Sequence, residues 1–168
     1  MRLKYMMVLP IMLAAPVAMA KKDPVELTNA YIQASATHNL FEQELNTLAL
    51  SKASNGEVLA IAQELVDQHR LCNTELTWAL SWSKIDAAVM NVRMTAYQQK
   101  KLSELRVKSG RAFDSAYLDI QANEYDEVLP AYEDYIDDGE EKFVVDHAKK
   151  FYPVLKEQEK TLSKIKLY

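Results

Sequence analysis

Cysteine occurs once in the 168 residues, at Cys72, so no internal disulfide can staple the chain and stability must come from packing. Glycine occurs three times and proline five times. That leaves few helix breakers, and with Ala, Leu, Glu, Lys and Gln abundant the composition points to helix. Basic side chains are the minority: 20 against 24 acidic ones. An acidic surface does not suit a nucleic-acid binder or an anionic-membrane binder. Also missing are a Ser/His/Asp ordering, a glycine-rich phosphate loop and a cysteine pair, so no familiar catalytic motif is present and the chain does not read as an enzyme. Half of the residues are apolar (49%) and a quarter charged (26%), the balance of one ordinary globular domain.

Residues 1–20 have the pattern of a signal peptide. Arg2 and Lys4 make a basic start, Tyr5 to Val17 a short apolar run broken by Pro10 and Pro16, and Ala18-Met19-Ala20 a small-x-small cleavage site. The run is shorter than the roughly 20 residues a bilayer core needs, so a cleaved leader is expected and a membrane anchor is not. The mature domain, 21–168, then begins at Lys21 and carries a formal charge of −6. No cysteine follows the cleavage site, which argues against a lipid anchor.

The remainder reads as one up-and-down four-helix bundle with an extra short helix between the second and third main helices. Asp23-Pro24-Val25-Glu26 supplies an acidic cap, a proline at the first helical position and a capping-box glutamate. Leu27, Tyr31, Ala34, His38, Phe41, Leu45 and Leu48 then keep core spacing to a stop near Ser54. Ser54-Asn55-Gly56 is a turn, and the second helix, Glu57 to Ser83, buries Val58, Ala62, Leu65, His69, Cys72 and Leu76. Trp78 and Trp82 lie off this stripe. They are expected to pack under the irregular segment from Lys84 to Met94, an oligomer contact being the alternative. A short helix from Tyr97 to Val107 follows. A long one from Arg111 to Asp137 buries Phe113, Tyr117, Ile120, Glu124 or Tyr125, Val128 and Tyr132, with a kink or break expected near Pro130. The last helix presents Phe143, His147, Phe151, Val154, Gln158, Leu162 and Ile165, with an interruption expected at Pro153 as well.

All three histidines fall on core stripes, and imidazoles converging in a bundle are how metal and haem sites are built. The Glu-x-x-His pairs of a carboxylate-bridged di-iron site are absent, since Val66, Val144 and Ser35 stand three residues before the histidines. His69-x-x-Cys72 places an imidazole and a thiol on one face and would suit copper or zinc in an exported protein. Glu42 and Glu124 are candidate further ligands. A buried hydrogen-bonded network, with Gln158 as another member, is the expected role of these residues. The acidic cluster from Glu133 to Glu141 lacks calcium-loop spacing and reads as a solvated turn.

Leu40-Phe41-Glu42-Gln43-Glu44-Leu45, Ala53-Ser54-Asn55-Gly56-Glu57-Val58, Leu65-Val66-Asp67-Gln68-His69 with Asn73 and Glu75-Leu76, Phe113-Asp114-Ser115-Ala116-Tyr117-Leu118 with Gln121, and Pro153 with Leu155 together resemble the bacterial family known as domain of unknown function 4142, often labelled predicted outer membrane protein. The resemblance covers nearly all of the mature chain. It implies a ferritin-like four-helix bundle behind a signal peptide, and no established activity. It also implies histidines where this sequence has Tyr125 and Gln158, facing His69 as a metal site. Of those three positions only His69 keeps the histidine.

The expectation is therefore an exported, non-enzymatic binding or interaction module of the cell envelope, periplasmic or associated with the outer membrane. It needs no cofactor and no nucleic acid, has no transmembrane segment in the mature chain, and has an envelope protein or a second copy as possible partner. The alternative is a periplasmic copper or zinc protein centred on His69 and Cys72. A third reading is a pH-responsive bundle that loosens when buried imidazoles are protonated.

Overall fold

A computed structural model describes residues 23–167; the leader expected at 1–20 lies outside them. The described residues form five α-helices: α1 (Pro24–Lys52), α2 (Gly56–Trp82), α3 (Ala96–Arg106), α4 (Gly110–Asp138) and α5 (Lys142–Leu162). A single 3-10 turn, Ala87–Met90, lies between α2 and α3.

The helix starts follow from local chemistry. Asp23 accepts the Val25 and Glu26 amides through its side chain, with Pro24 at the first position. Asn55 does the same for Glu57 and Val58 at the head of α2. These caps satisfy amides that have no partner within the helix. Thr95 and Gln98 form a reciprocal capping box on α3. The turn between α1 and α2 is also gripped from outside. The buried carboxylate of Asp114 on α4 accepts from the Ser54 and Asn55 amides at 3.0 Å each, and from the Ser54 hydroxyl.

That grip sets the direction of α4. Its start lies beside the end of α1, and Tyr135 near its end donates to Thr28 near the start of α1, at 3.0 Å. Helix α4 is thus antiparallel to α1 and parallel to α2. Contacts join α1 to α2, α2 to α5, α5 to α4 and α4 to α1 in a ring, so each main helix is antiparallel to both neighbours. Alternation is complete in space, and the segment from Ser83 to Ser109, carrying α3, spans the length of the bundle to make it so. Ile85, Val89, Met90, Val92 and Met94 of that crossover pack on the core.

Four details differ from the sequence reading. Trp78 and Trp82 are 60% and 73% exposed; the crossover turns its apolar side chains toward the core and the flank of α1 and leaves the indoles uncovered. In α5 the buried positions are Val144 and Leu155 rather than Phe143 and Val154, because an apolar residue stands at both members of each pair and spacing alone cannot choose the phase. Ile165 lies past the end of that helix, at the edge of the core. Helices α4 and α5 run unbroken through Pro130 and Pro153. Both prolines face solvent, as do Asp126 and Lys149 one turn earlier, so the carbonyls they leave without a donor are placed to be met by water.

Glycine is required at two places. Gly110 begins α4 at φ +56, in the left-handed region that disfavours a side chain. At Gly139 a Cβ would stand 2.4 Å from the Tyr135 carbonyl oxygen and 2.9 Å from its ring.

Candidate functional site

Helix α1 touches two main helices and the crossover, and it buries polar side chains along its inner face: Thr28, Ser35, His38, Asn39, Glu42 and Asn46. Each needs a partner or imposes a cost of about 1–3 kcal/mol. The partners found for these residues divide the bundle core into three regions and place the three histidines in three different states.

His147 is satisfied on both sides. Its Nε2 donates to the Cys72 carbonyl at 3.0 Å and its Nδ1 accepts from the Tyr31 hydroxyl at 2.7 Å. Tyr31 stacks on Tyr135 (centroids 4.5 Å apart) and meets Tyr132 edge-on, while Ser35 and Tyr132 join their hydroxyls at 2.7 Å. Burial pushes the His147 pKa down to about 4, so the ring is neutral. The Cys72 thiol takes a hydrogen bond from Asn39 Nδ2 at 3.3 Å, and burial raises its pKa. A buried thiol held protonated is inert.

His69 is satisfied on one side. With the Asn39 oxygen 2.9 Å from Nδ1, the ring donates there. Nε2 is left as an acceptor, 3.5 Å from the Tyr125 hydroxyl and 3.8 Å from Glu42 Oε2. The contact with Glu42 is between neutral groups. Desolvation lowers the His69 pKa well below its usual value and raises that of Glu42 to about 8, so neither carries charge at neutral pH. Glu42 Oε2 accepts from Asn46 at 2.8 Å and Gln121 at 2.9 Å, and Tyr117 donates to Asn46 at 2.6 Å. Tyr125 donates to Gln158 at 3.0 Å, and Gln158 donates to Gln68. His69, Tyr125 and Gln158 therefore do converge: Tyr125 and Gln158 are joined by a hydrogen bond, and the free Nε2 of His69 lies beside them.

Among the described residues His38 has no hydrogen-bond partner. Both ring nitrogens are buried without one, and the ring meets His69 and Tyr125 only edge-on, at 5.1 and 5.6 Å between centroids. Desolvation lowers its pKa to about 3. One flank of His38 lines a cleft of about 280 Å³ between α1, α4 and the start of α3, together with Gln33, Thr37, Thr95, Gln98 and Glu124. Ala34, Glu127 and Val128 complete the lining. Gln98 Nε2 donates to Glu124 Oε2 at 2.9 Å, whereas Glu124 Oε1 is buried without a partner. Desolvation also raises the Glu124 pKa.

The four residues singled out as candidate metal ligands are dispersed among these regions. Asn39 bonds to both His69 and Cys72 and bridges them. Glu42 is bound within the Asn46–Gln121 cluster, and Glu124 faces the cleft through Gln98. Among the described residues no group of three or more His, Cys, Asp and Glu side chains is arranged to hold a metal ion. Sequence periodicity did not reveal Asn39, Asn46 and Gln121, which make most of the network. Nor did it single out His38, since the spacing that marks a residue as internal says nothing about its partners.

No helix of the described residues is long and apolar enough to cross a membrane. No curated protein and no solved structure matches the chain. The family model described as "Domain of unknown function (DUF4142)" matches residues 13–165. The match takes in all five helices, the gripped turn, the histidine network and the cleft, and the chain belongs to the DUF4142 family.

Proposed function

We propose that this chain is an exported, ferritin-like bundle of the cell envelope that binds a small polar ligand in the cleft beside His38, without turning it over. The observation that carries the reading is the cleft wall. His38 and Glu124, from adjacent helices, both line it and both carry buried polar atoms with no hydrogen-bond partner among the described residues. Buried polar atoms are nearly always paired, and unpaired ones concentrate where something binds.

The state of His38 supports binding rather than catalysis. A general base works best with a pKa near the operating pH, and His38, lowered to about 3, is far too weak. Export rests on the basic start, the short apolar run and the Ala18-Met19-Ala20 site. Among the described residues core burial begins at Leu27, past the expected cleavage site.

Two measurements test this. Protein recovered from the periplasmic fraction of cells expressing the full chain is expected to begin at Lys21; retention in the cytoplasm with residues 1–20 intact contradicts export. A panel of small amines, carboxylates, sugars and amino acids, followed by amide NMR, is expected to yield one class that shifts Gln33, Thr95 and Gln98 together. Shifts in no class, or turnover of a bound compound, contradict the binding reading.

A further inference from the structure

The chemistry of the cleft selects among polar ligands. Its lining includes two carboxylates, Glu124 and Glu127, and no lysine or arginine, so an anion would meet like charge and no opposite charge. The orphaned carboxylate oxygen is an acceptor, held in place because its companion is engaged by Gln98. Gln98 is itself fixed: its amide oxygen accepts from the Thr95 backbone at 3.0 Å, and its own backbone donates to the Thr95 hydroxyl at 3.1 Å. The capping box of α3 thereby turns the Gln98 amide so that Oε2 of Glu124 is taken and Oε1 is left. His38, neutral, adds a lone pair, while Ala34 and Val128 supply apolar wall. Such a site asks for a positive ligand with N–H groups and a short hydrocarbon part.

We infer that the cleft takes a small primary ammonium ion, an alkylamine or diamine, with its N–H groups received by Glu124 Oε1 and, in a diamine, its second ammonium near Glu127. This rests on the binding reading above and narrows it to one ligand class. A divalent metal lacks ligands, since His38 and the two carboxylates do not form a group that could hold one. A quaternary ammonium has no N–H to donate, and apart from His38 the lining has no aromatic ring to stack on it.

The test is calorimetric titration of protein purified from cells expressing the full chain, with butylamine, diaminobutane, tetramethylammonium, succinate and zinc as probes. Butylamine and diaminobutane are expected to saturate, and tetramethylammonium and succinate are not. Glu124→Gln is expected to weaken both amines at least about tenfold with its thermal midpoint retained. Glu127 is exposed, so Glu127→Gln folds regardless, and it is expected to weaken diaminobutane more than butylamine. Amines that fail to bind, that bind equally well to both variants, or that are matched by tetramethylammonium overturn the assignment. Saturation by succinate alone with shifts at Gln98 overturns the amine and keeps the binding module. Saturation by zinc alone overturns the amine in favour of a metal. Binding of none of the probes overturns the amine and leaves the module to the wider panel.

Discussion

The three histidines carry the same signal in the sequence, a ring on a core stripe, but differ in what surrounds them. His147 replaced by leucine strands the Tyr31 hydroxyl and removes from the Cys72 carbonyl the bond it makes beyond its own helix, and leaving a buried hydroxyl without its partner costs about 1–3 kcal/mol. His147→Leu is therefore expected to lower unfolding free energy by roughly 1–3 kcal/mol. His38→Leu removes two ring nitrogens that have no partner, and should be neutral or stabilising. Urea unfolding of the two variants checks the contrast; equal losses would contradict it. The sequence placed all three rings inside and went no further. Partners lie 30 residues away for His69 and 116 for His147, and small polar residues such as Asn39 leave no periodic trace.

Helix ends and turns are where single changes should act most sharply. Gly139→Ala forces a Cβ against the Tyr135 carbonyl and ring. Because Tyr135 also stacks on Tyr31, the strain passes into the core, and a loss of about 1–3 kcal/mol is expected. Asp114→Ala removes the acceptor for two backbone amides and a hydroxyl in the α1–α2 turn. Charge-assisted bonds to a buried carboxylate make a loss of roughly 2–4 kcal/mol the expected outcome. Trp78→Ser and Trp82→Ser, on an uncovered face, should each stay within about 0.5 kcal/mol. Thermal denaturation ranks all four. These elements were legible to different degrees. Asp23-Pro24, Ser54-Asn55-Gly56 and the α2 stripe are sharp local signals, and the structure follows them. The α5 phase and the tryptophans were not, since one is set by which of two adjacent apolar residues meets its neighbours and the other by the path of a crossover.

Across the whole molecule, buried titratable groups set how stability depends on pH. Burial lowers the folded pKa of His38 and His147 to about 3 and about 4, and lowers that of His69. The unfolded chain therefore takes up protons first, and stability present above the ordinary histidine value of 6.5 is lost as pH falls toward 4. Glu42 acts oppositely. Its folded pKa is raised to about 8, so its contribution is full below the ordinary carboxylate value and is lost as pH rises from there toward 8; Glu124 is shifted in the same direction. Three histidines outweigh two glutamates below pH 6.5, and above it only the glutamates act. A stability maximum near neutrality, with a decline on each side, is the expected profile. Glu42→Gln should flatten the alkaline limb, and changing the three histidines to glutamine should flatten the acid limb. Melting curves between pH 4 and 9 check the signs, and a profile that rises steadily through pH 8 would contradict them.

His38 is the unsatisfied ring at a ligand cleft, while the other two belong to the core network. Nitrogen NMR of the imidazole side chains, with and without diaminobutane, distinguishes them. At neutral pH three uncharged rings are expected, with His147 protonated on Nε2 and His69 on Nδ1, and only the His38 resonances moving as the amine saturates. An imidazolium at neutral pH, or a titration that moves His69 or His147 and leaves His38 still, would contradict it.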